Sequence, residues 1–357
     1  MLRPRQRRHP LTSILSPGGE EEDAAAAWCP AGLMVNPSPM RIIGPSEVNA
    51  ALDFTSLVES LRQMFRTGCE APLRHHHTIT DPSGGPDATL LLMPAWISGR
   101  FLGTKIASVF PDNGARGLPA VQSVYLLSSA ETGALLAIID GGELTTRRTV
   151  AASSLAARYL ARGDASRLLI VGTGEIARQI AASHAAVRPI QEVEIWGRNR
   201  TRAEALAAEL VQAGFEARSV EDLAAATRRA DIVSCCTLSR EPVISGAWLR
   251  PGTHLDLIGS FTPEMRETDD AAVARALVVV DTDAALTESG DLAVPLRNGT
   301  VTQDRIATDL AGLVRGRHPG RSDADEITLF KSVGAAIEDL TAAILCYASA
   351  SHHNALE

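Results

Sequence analysis

The sequence predicts an α/β protein in which a doubly wound parallel sheet is inserted into an α+β domain. Three observations carry this. From about residue 148, short apolar runs alternate with helical patterns, as in a parallel sheet covered on both faces. Before that point, strand-like runs follow one another, split by Gly, Pro, Asn and Asp. The first parallel strand runs straight into a glycine turn and a helix, "LLIVGTGEIARQIAASH". With 357 residues, 45% hydrophobic and 21% charged, the chain can build two sizeable cores.

Residues 1–39, rich in Pro, Gly and Glu, read as a disordered extension. The basic "MLRPRQRRHP" is followed by "GGEEEDAAAA", which suits neither a signal peptide nor a transit peptide. Residues 54–67 form an amphipathic helix with Leu57, Leu61 and Phe65 on one face. Strands are expected at 88–97, 101–110, 121–129 and 135–144. A helix begins at 148 with "RTVAASSLAARYLA". The parallel part then reads "RLLIVG", a helix at 175–187, "EVEIWG", a helix at 201–213, a short strand at 216–219 and a helix at 221–229. It continues with the strands "DIVSCCT", "HLDLIG" and "ALVVVDT". Helices near 303–315 and 327–350 are expected to pack back on the first domain. The domains are therefore 40–147 plus 308–357, and 148–307 between them.

Net charge is -8, which disfavours a polyanion, and no nucleic-acid role is expected. No apolar run reaches about 18 residues, so no membrane span is expected. The cysteines have no CxxC spacing, and Cys235 and Cys236 read as small buried core residues. A reducing, cytoplasmic setting fits this pattern and is expected.

The segment Gly172-Thr173-Gly174-Glu175-Ile176-Ala177 is GxGxxA between a strand and a helix, the context of a Rossmann dinucleotide site. Gly172 permits the tight turn, Gly174 lets a pyrophosphate approach the helix N-terminus, and Ala177 allows close helix–strand packing. The second strand ends at Gly197, followed by Arg198, Asn199, Arg200 and Arg202, where NAD enzymes usually place an acid. Cations there suit a 2′-phosphate, so NADP(H) is expected ahead of NAD(H). Glu194 lies mid-strand and is expected to point elsewhere.

Three cations precede this region: Arg74 in "APLRHHH", Lys105 in the apolar "GTKIASVFPDN", and Arg148 after "LTTR". A Lys inside an apolar strand needs an anionic partner. That partner is either a bound anion or a structural ion pair. Three consecutive histidines, His75 to His77, cannot converge on a metal from a strand, so no metal site is expected.

The stretches "GTKIASVFPDN", "TTRRTVAASSLAARYLA", "VGTGEIARQ", "REPVISGAWLRPGTHLDLIG", Gly290-Asp291-Leu292 and "LFKSVGAAIEDL" together resemble the ornithine cyclodeaminase/μ-crystallin family, over residues 40–350. The resemblance implies a homodimer whose substrate domain wraps a Rossmann domain. It implies that Arg74 and Lys105 hold a substrate carboxylate and that Arg148 sits where nicotinamide and substrate meet. Ala120, Thr237 and Ile258, Gly259, Ser260 and Phe261 match cofactor-side positions, and Lys331 and Ser332 match a segment closing the site. Cyclodeaminases of the family carry Asp where this chain has Phe261, and Lys where it has Met265. Phe cannot move a proton. The sequence "HLDLIGSFTPEMRE" is similar to the subgroup that reduces cyclic imino acids. The expected activity is NAD(P)H-dependent reduction of a small cyclic imino acid. Arg74, Lys105 and Arg148 would carry the chemistry, Phe261 would pack on the ring, and Lys105 is a candidate proton donor. Ornithine cyclodeaminase, alanine dehydrogenase and a non-catalytic NADPH-binding protein are the alternatives.

Overall fold

The structure, a computed structural model, describes residues 39–353. The extension expected over 1–39 lies, apart from Pro39, outside the described residues.

The first sheet contains β1 (Arg41–Ile43), β2 (His75–Ile79), β3 (Ala88–Ile97), β4 (Phe101–Val109), β5 (Val121–Ser129) and β6 (Leu135–Asp140) in the order β1-β6-β5-β4-β3-β2. β1 runs parallel to β6, and the other neighbours are antiparallel. Alternation along these strands sorts the side chains into two faces. Met93, Lys105, Tyr125 and Ile139 form one cross-strand row, and all four are buried. Helices α1 (Pro45–Ala51) and α2 (Phe54–Thr67) precede β2, and α3 (Gly141–Leu160) follows β6. As its spacing predicts, α2 buries Leu57, Leu61 and Phe65, and Asp53 caps it by accepting from the Ser56 N–H.

One boundary shifts. The strand expected at 135–144 stops at Asp140, whose carboxylate accepts from the Glu143 N–H and starts α3. Gly141 fits because a side chain there would meet Ser123. Arg148 therefore lies two turns inside the helix rather than opening it.

The second sheet is wholly parallel. Its strands are β7 (Arg167–Val171), β8 (Glu192–Trp196), β9 (Glu216–Ser219), β10 (Ile232–Cys235), β11 (His254–Leu257), β12 (Leu277–Val280), β13 (Ile306–Asp309) and β14 (Thr328–Lys331). Their order is β13-β12-β14-β11-β10-β7-β8-β9. The connecting helices are α4 (Glu175–Ala185), α5 (Arg200–Gln212), α6 (Leu223–Arg229), α7 (Asp270–Arg275), α8 (Ala285–Glu288), α9 (Gly290–Arg297) and α10 (Leu310–Val314). The chain builds β7, β8 and β9 outward, then crosses back to place β10 on the other side of β7. That reversal opens a crevice at the carboxyl ends of β7 and β10, where such sheets bind ligands.

The tail departs from the expected pair of helices. Residues 306–309 form β13, and 328–331 form β14, which is hydrogen-bonded between β11 and β12. The parallel sheet thus extends past residue 307 to Lys331. Only then does α11 (Ala336–His353) return to pack on α2, α3, β3 and β4. Among the described residues, no helix is long and apolar enough to cross a membrane.

Candidate active site

Gly172 leaves β7 at φ 136°, a conformation that side chains rarely adopt. A Cβ there would also lie 2.7 Å from Cys236 Sγ and 2.9 Å from the Cys236 carbonyl oxygen. The turn is thereby pressed against the end of β10. Gly174 caps α4 without a side-chain bond, and open space surrounds its Cβ position. The exposed N–H groups of an eleven-residue helix meet that space, which fits a pyrophosphate. Ala177 is fully buried, Ile176 packs beside it, and Glu175 is exposed.

At the tip of β8, Gly197 lies over Thr173, 2.6 Å from its Cγ2 to an added Cβ. Asn199 caps α5, accepting from the Arg202 N–H at 3.0 Å. Arg200 is engaged by Glu204 and Glu221. Arg198 and Arg202 are exposed and have no ion pair among the described residues. Glu194 does point elsewhere: Arg218 and Arg229 hold it at 2.6 Å and 3.0 Å. That mid-strand carboxylate is therefore occupied.

The loop after β11 is held from beneath. Glu267 is fully buried, and its carboxylate accepts from the Thr237 and Gly259 N–H groups, each at 2.6 Å. Burial pushes its carboxyl up to about 7, with Lys331 opposing. Gly259 cannot carry a side chain, since a Cβ would sit 1.9 Å from the Thr237 oxygen. Ser260 is buried and donates to the Met265 carbonyl, Ile258 is nearly buried, and Phe261 packs partly against the core of the parallel sheet. Lys331 lies below the same loop. It is fully buried, 3.0 Å from the Leu257 carbonyl and 3.5 Å from Asp291. It braces this loop from inside the sheet. Asp291 also accepts from the Glu267 and Thr268 N–H groups. Ser332 hydrogen-bonds through its N–H to Leu257, beside the same loop. Ala120 accepts from the Phe110 N–H, a tie within its own β4–β5 connection.

The three cations do converge, around residues 333–339 at the carboxyl edge of the parallel sheet. Arg74 donates to the Val333 and Gly334 carbonyls and lies 3.6 Å from Glu288. Arg148 pairs with Glu338 at 2.6 Å and with Asp339 at 2.8 Å. Lys105 pairs with the same Asp339 at 2.8 Å and reaches Thr145 at 3.5 Å. Burial lowers the Lys105 ammonium to about 8, Arg148 acting in the same sense and Asp339 opposing. Burial also opposes charge on Arg148, but Asp339 and Glu338 outweigh it and hold the guanidinium above its ordinary value. Asp281, taking N–H bonds from Val333 and Gly334, fixes the loop that Arg74 grips. The structural ion pair and the bound anion were the open alternatives for Lys105. The ion pair is present, and it places the ammonium at the site.

Sequence reasoning found the cations and missed their carboxylates, Glu338, Asp339, Asp281 and Glu288, together with Glu267 below the loop. The signal for the first two was an acidic pair inside the apolar run "SVGAAIEDLTAAILC". Acids in the first turn of a buried helix need cationic partners as much as Lys105 needs anions.

Fold and site together define a Rossmann-type, dinucleotide-dependent enzyme acting on a small anion. The chain belongs to the ornithine cyclodeaminase/mu-crystallin family, whose model matches residues 46–354. It is 42% identical over 287 residues to the Δ1-pyrroline-2-carboxylate reductase of Paracoccus denitrificans, covering 78% of this chain and 90% of that one. The Δ1-pyrroline-2-carboxylate reductase of Thermococcus litoralis, solved with NADH and L-proline, superposes with a TM-score of 0.83 at 34% identity, covering 88% of this chain and 98% of that one. An archaeal alanine dehydrogenase dimer with bound NAD gives 0.81 at 28% identity, covering 88% and 97%. A nicotinamide dinucleotide is thus the cofactor class.

Proposed function

We propose that the chain is an NAD(P)H-dependent cyclic ketimine reductase, turning Δ1-pyrroline-2-carboxylate into L-proline and Δ1-piperideine-2-carboxylate into L-pipecolate. The observation that carries this is Phe261. It puts an apolar ring, not a carboxylate, on the loop beside the crevice, in a chain similar to reductases of this name. When bound, the reduced nicotinamide supplies a hydride. Arg74, Lys105 and Arg148 fix the substrate carboxylate so that C2 of the ring faces the cofactor. Phe261 packs on the ring methylenes and excludes water. Ring closure from an open diamine needs an acid–base group on the amine, and Phe261 and Met265 supply none.

NADP(H) is preferred in this reading, supported by the unpaired Arg198 and Arg202 and by the engagement of Glu194. The active form is a homodimer, supported by the outer face of the first sheet. There Ile42, Ile138 and Leu126 form a cross-strand row, and Ile42 is 73% exposed. The setting is cytoplasmic, supported by four free cysteines among the described residues. Cell fractionation tests the location. The activity is tested by following nicotinamide absorbance with each cyclic imine, and with pyruvate plus ammonia as the open-chain control. Release of ammonia from L-ornithine with NAD⁺ would instead support cyclodeaminase.

A further inference from the structure

We propose that Glu338 is the proton donor to the ring nitrogen, its Oε1 being the atom that meets the substrate. This rests on the reductase reading above. The carboxylates of the site are not equivalent. Asp339 has a cation against each oxygen, Lys105 2.8 Å from Oδ2 and Arg148 2.8 Å from Oδ1, although Oδ2 accepts no hydrogen bond. Glu338 gives one oxygen to Arg148 at 2.6 Å, while its Oε1 is buried and has no hydrogen-bond partner. The residue is fully buried, at the start of α11, directly after the loop gripped by Arg74. A bare, ionised carboxylate oxygen in such a place is costly unless a proton or a ligand N–H meets it. A protonated Oε1 finds its acceptor in the ring nitrogen lone pair of an imino acid held by Arg74, Lys105 and Arg148.

The charged surroundings agree. Arg148 reaches Glu338 from α3, Asp281 from the loop after β12, and Asp339 from its own helix. Lys105 and Tyr125, from β4 and β5, face Asp339, and Arg74 faces Asp281. Burial first, then Asp281 and Asp339, lift the Glu338 carboxyl to about 7 against the pull of Arg148. Lys105 is the weaker candidate, because its ammonium is bracketed by both Asp339 oxygens at 3.0 Å and 2.8 Å.

In the step, C2 takes the hydride of the reduced nicotinamide, which is thereby oxidised. The C=N π pair moves to nitrogen, the O–H bond of Glu338 breaks, and the N–H bond forms. The Glu338 carboxylate is then reprotonated from water.

The test compares wild type, Glu338→Gln and Glu338→Asp on Δ1-pyrroline-2-carboxylate and on its N-methyl iminium, whose charge is fixed and which needs no proton. Glu338→Gln should lose about 10²–10⁴-fold in kcat/KM on the first. Its loss on the second should be much smaller, limited to what the change beside Arg148 costs, and Glu338→Asp should recover part of the loss on the first. As a second readout, infrared spectra of the cofactor-loaded protein, wild type minus Glu338→Gln, should show a carboxyl C=O band that titrates near neutral pH in addition to that of Glu267. NADPH fluorescence checks that each variant is folded. Equal loss on both substrates would reduce Glu338 to a positioning residue, and no loss, or no titrating band, would overturn the proposal. The band decides if the N-methyl ring fails to enter the wild-type site. If wild type reduces neither ring, the reductase reading falls; if it reduces both and the Gln variant does so equally, only the role of Glu338 falls.

Discussion

Asp339 holds Lys105 and Arg148 at once, so a substrate carboxylate must add to an existing network rather than meet free charges. Lys105 contributes only while protonated. With burial lowering its ammonium to about 8, the charged form is present below that pH and lost above it. The Kd of L-proline for the oxidised holoenzyme should therefore rise as pH climbs through about 8, read by calorimetry; a flat Kd across that range would remove Lys105 from carboxylate binding. Arg198 offers a separate prediction. Arg198→Asp should weaken NADPH binding about tenfold or more and leave NADH little changed, since only NADPH carries the 2′-phosphate. Equal weakening would remove the argument for NADP(H). At this scale the sequence revealed Gly172, Gly174 and the cations, because each violates a local expectation: a glycine turn after a strand, a Lys in an apolar strand. The carboxylates were hidden, since Glu338 and Asp339 look like ordinary acids opening a helix until their burial is known.

β14 is the element the sequence concealed. "TLFK" is a four-residue apolar run that merges with the apolar helix after it, and periodicity cannot separate a short buried strand from a buried helical turn. Tertiary pairing decides, by seating the run between β11 and β12. β13 was concealed likewise, while β7, β8 and α4 were legible because a glycine turn or a cap marks their ends. The placement of β14 matters for the site. It carries Lys331 under the loop after β11 and delivers residues 332–335 to Arg74. Amides of residues 328–331 should then exchange with solvent as slowly as those of β11, measured by hydrogen–deuterium exchange. Fast exchange there, with β11 protected, would show that the strand is not part of the sheet.

Across the whole molecule, the chain makes one sheet domain, leaves it for the parallel sheet, and returns through α11. The two parts thus meet where α11 begins, and the site lies at that seam. The sequence conveyed this excursion through its change of rhythm, but not that the seam is closed by β14 and the loop behind it. The partly exposed apolar row on the outer face of the first sheet bears on assembly. Ile138→Asp should shift the protein from dimer to monomer by light scattering, because a charge would be buried in an apolar interface; a wild-type protein that is already monomeric at micromolar concentration would contradict the dimer. The central claim is the reduction of a cyclic imine. The most direct measurement incubates purified protein with NADPH and Δ1-pyrroline-2-carboxylate, follows nicotinamide absorbance, and identifies the product by chiral chromatography. The account predicts stoichiometric NADPH oxidation with formation of L-proline; tight NADPH binding without oxidation by either the five- or the six-membered ring would contradict it.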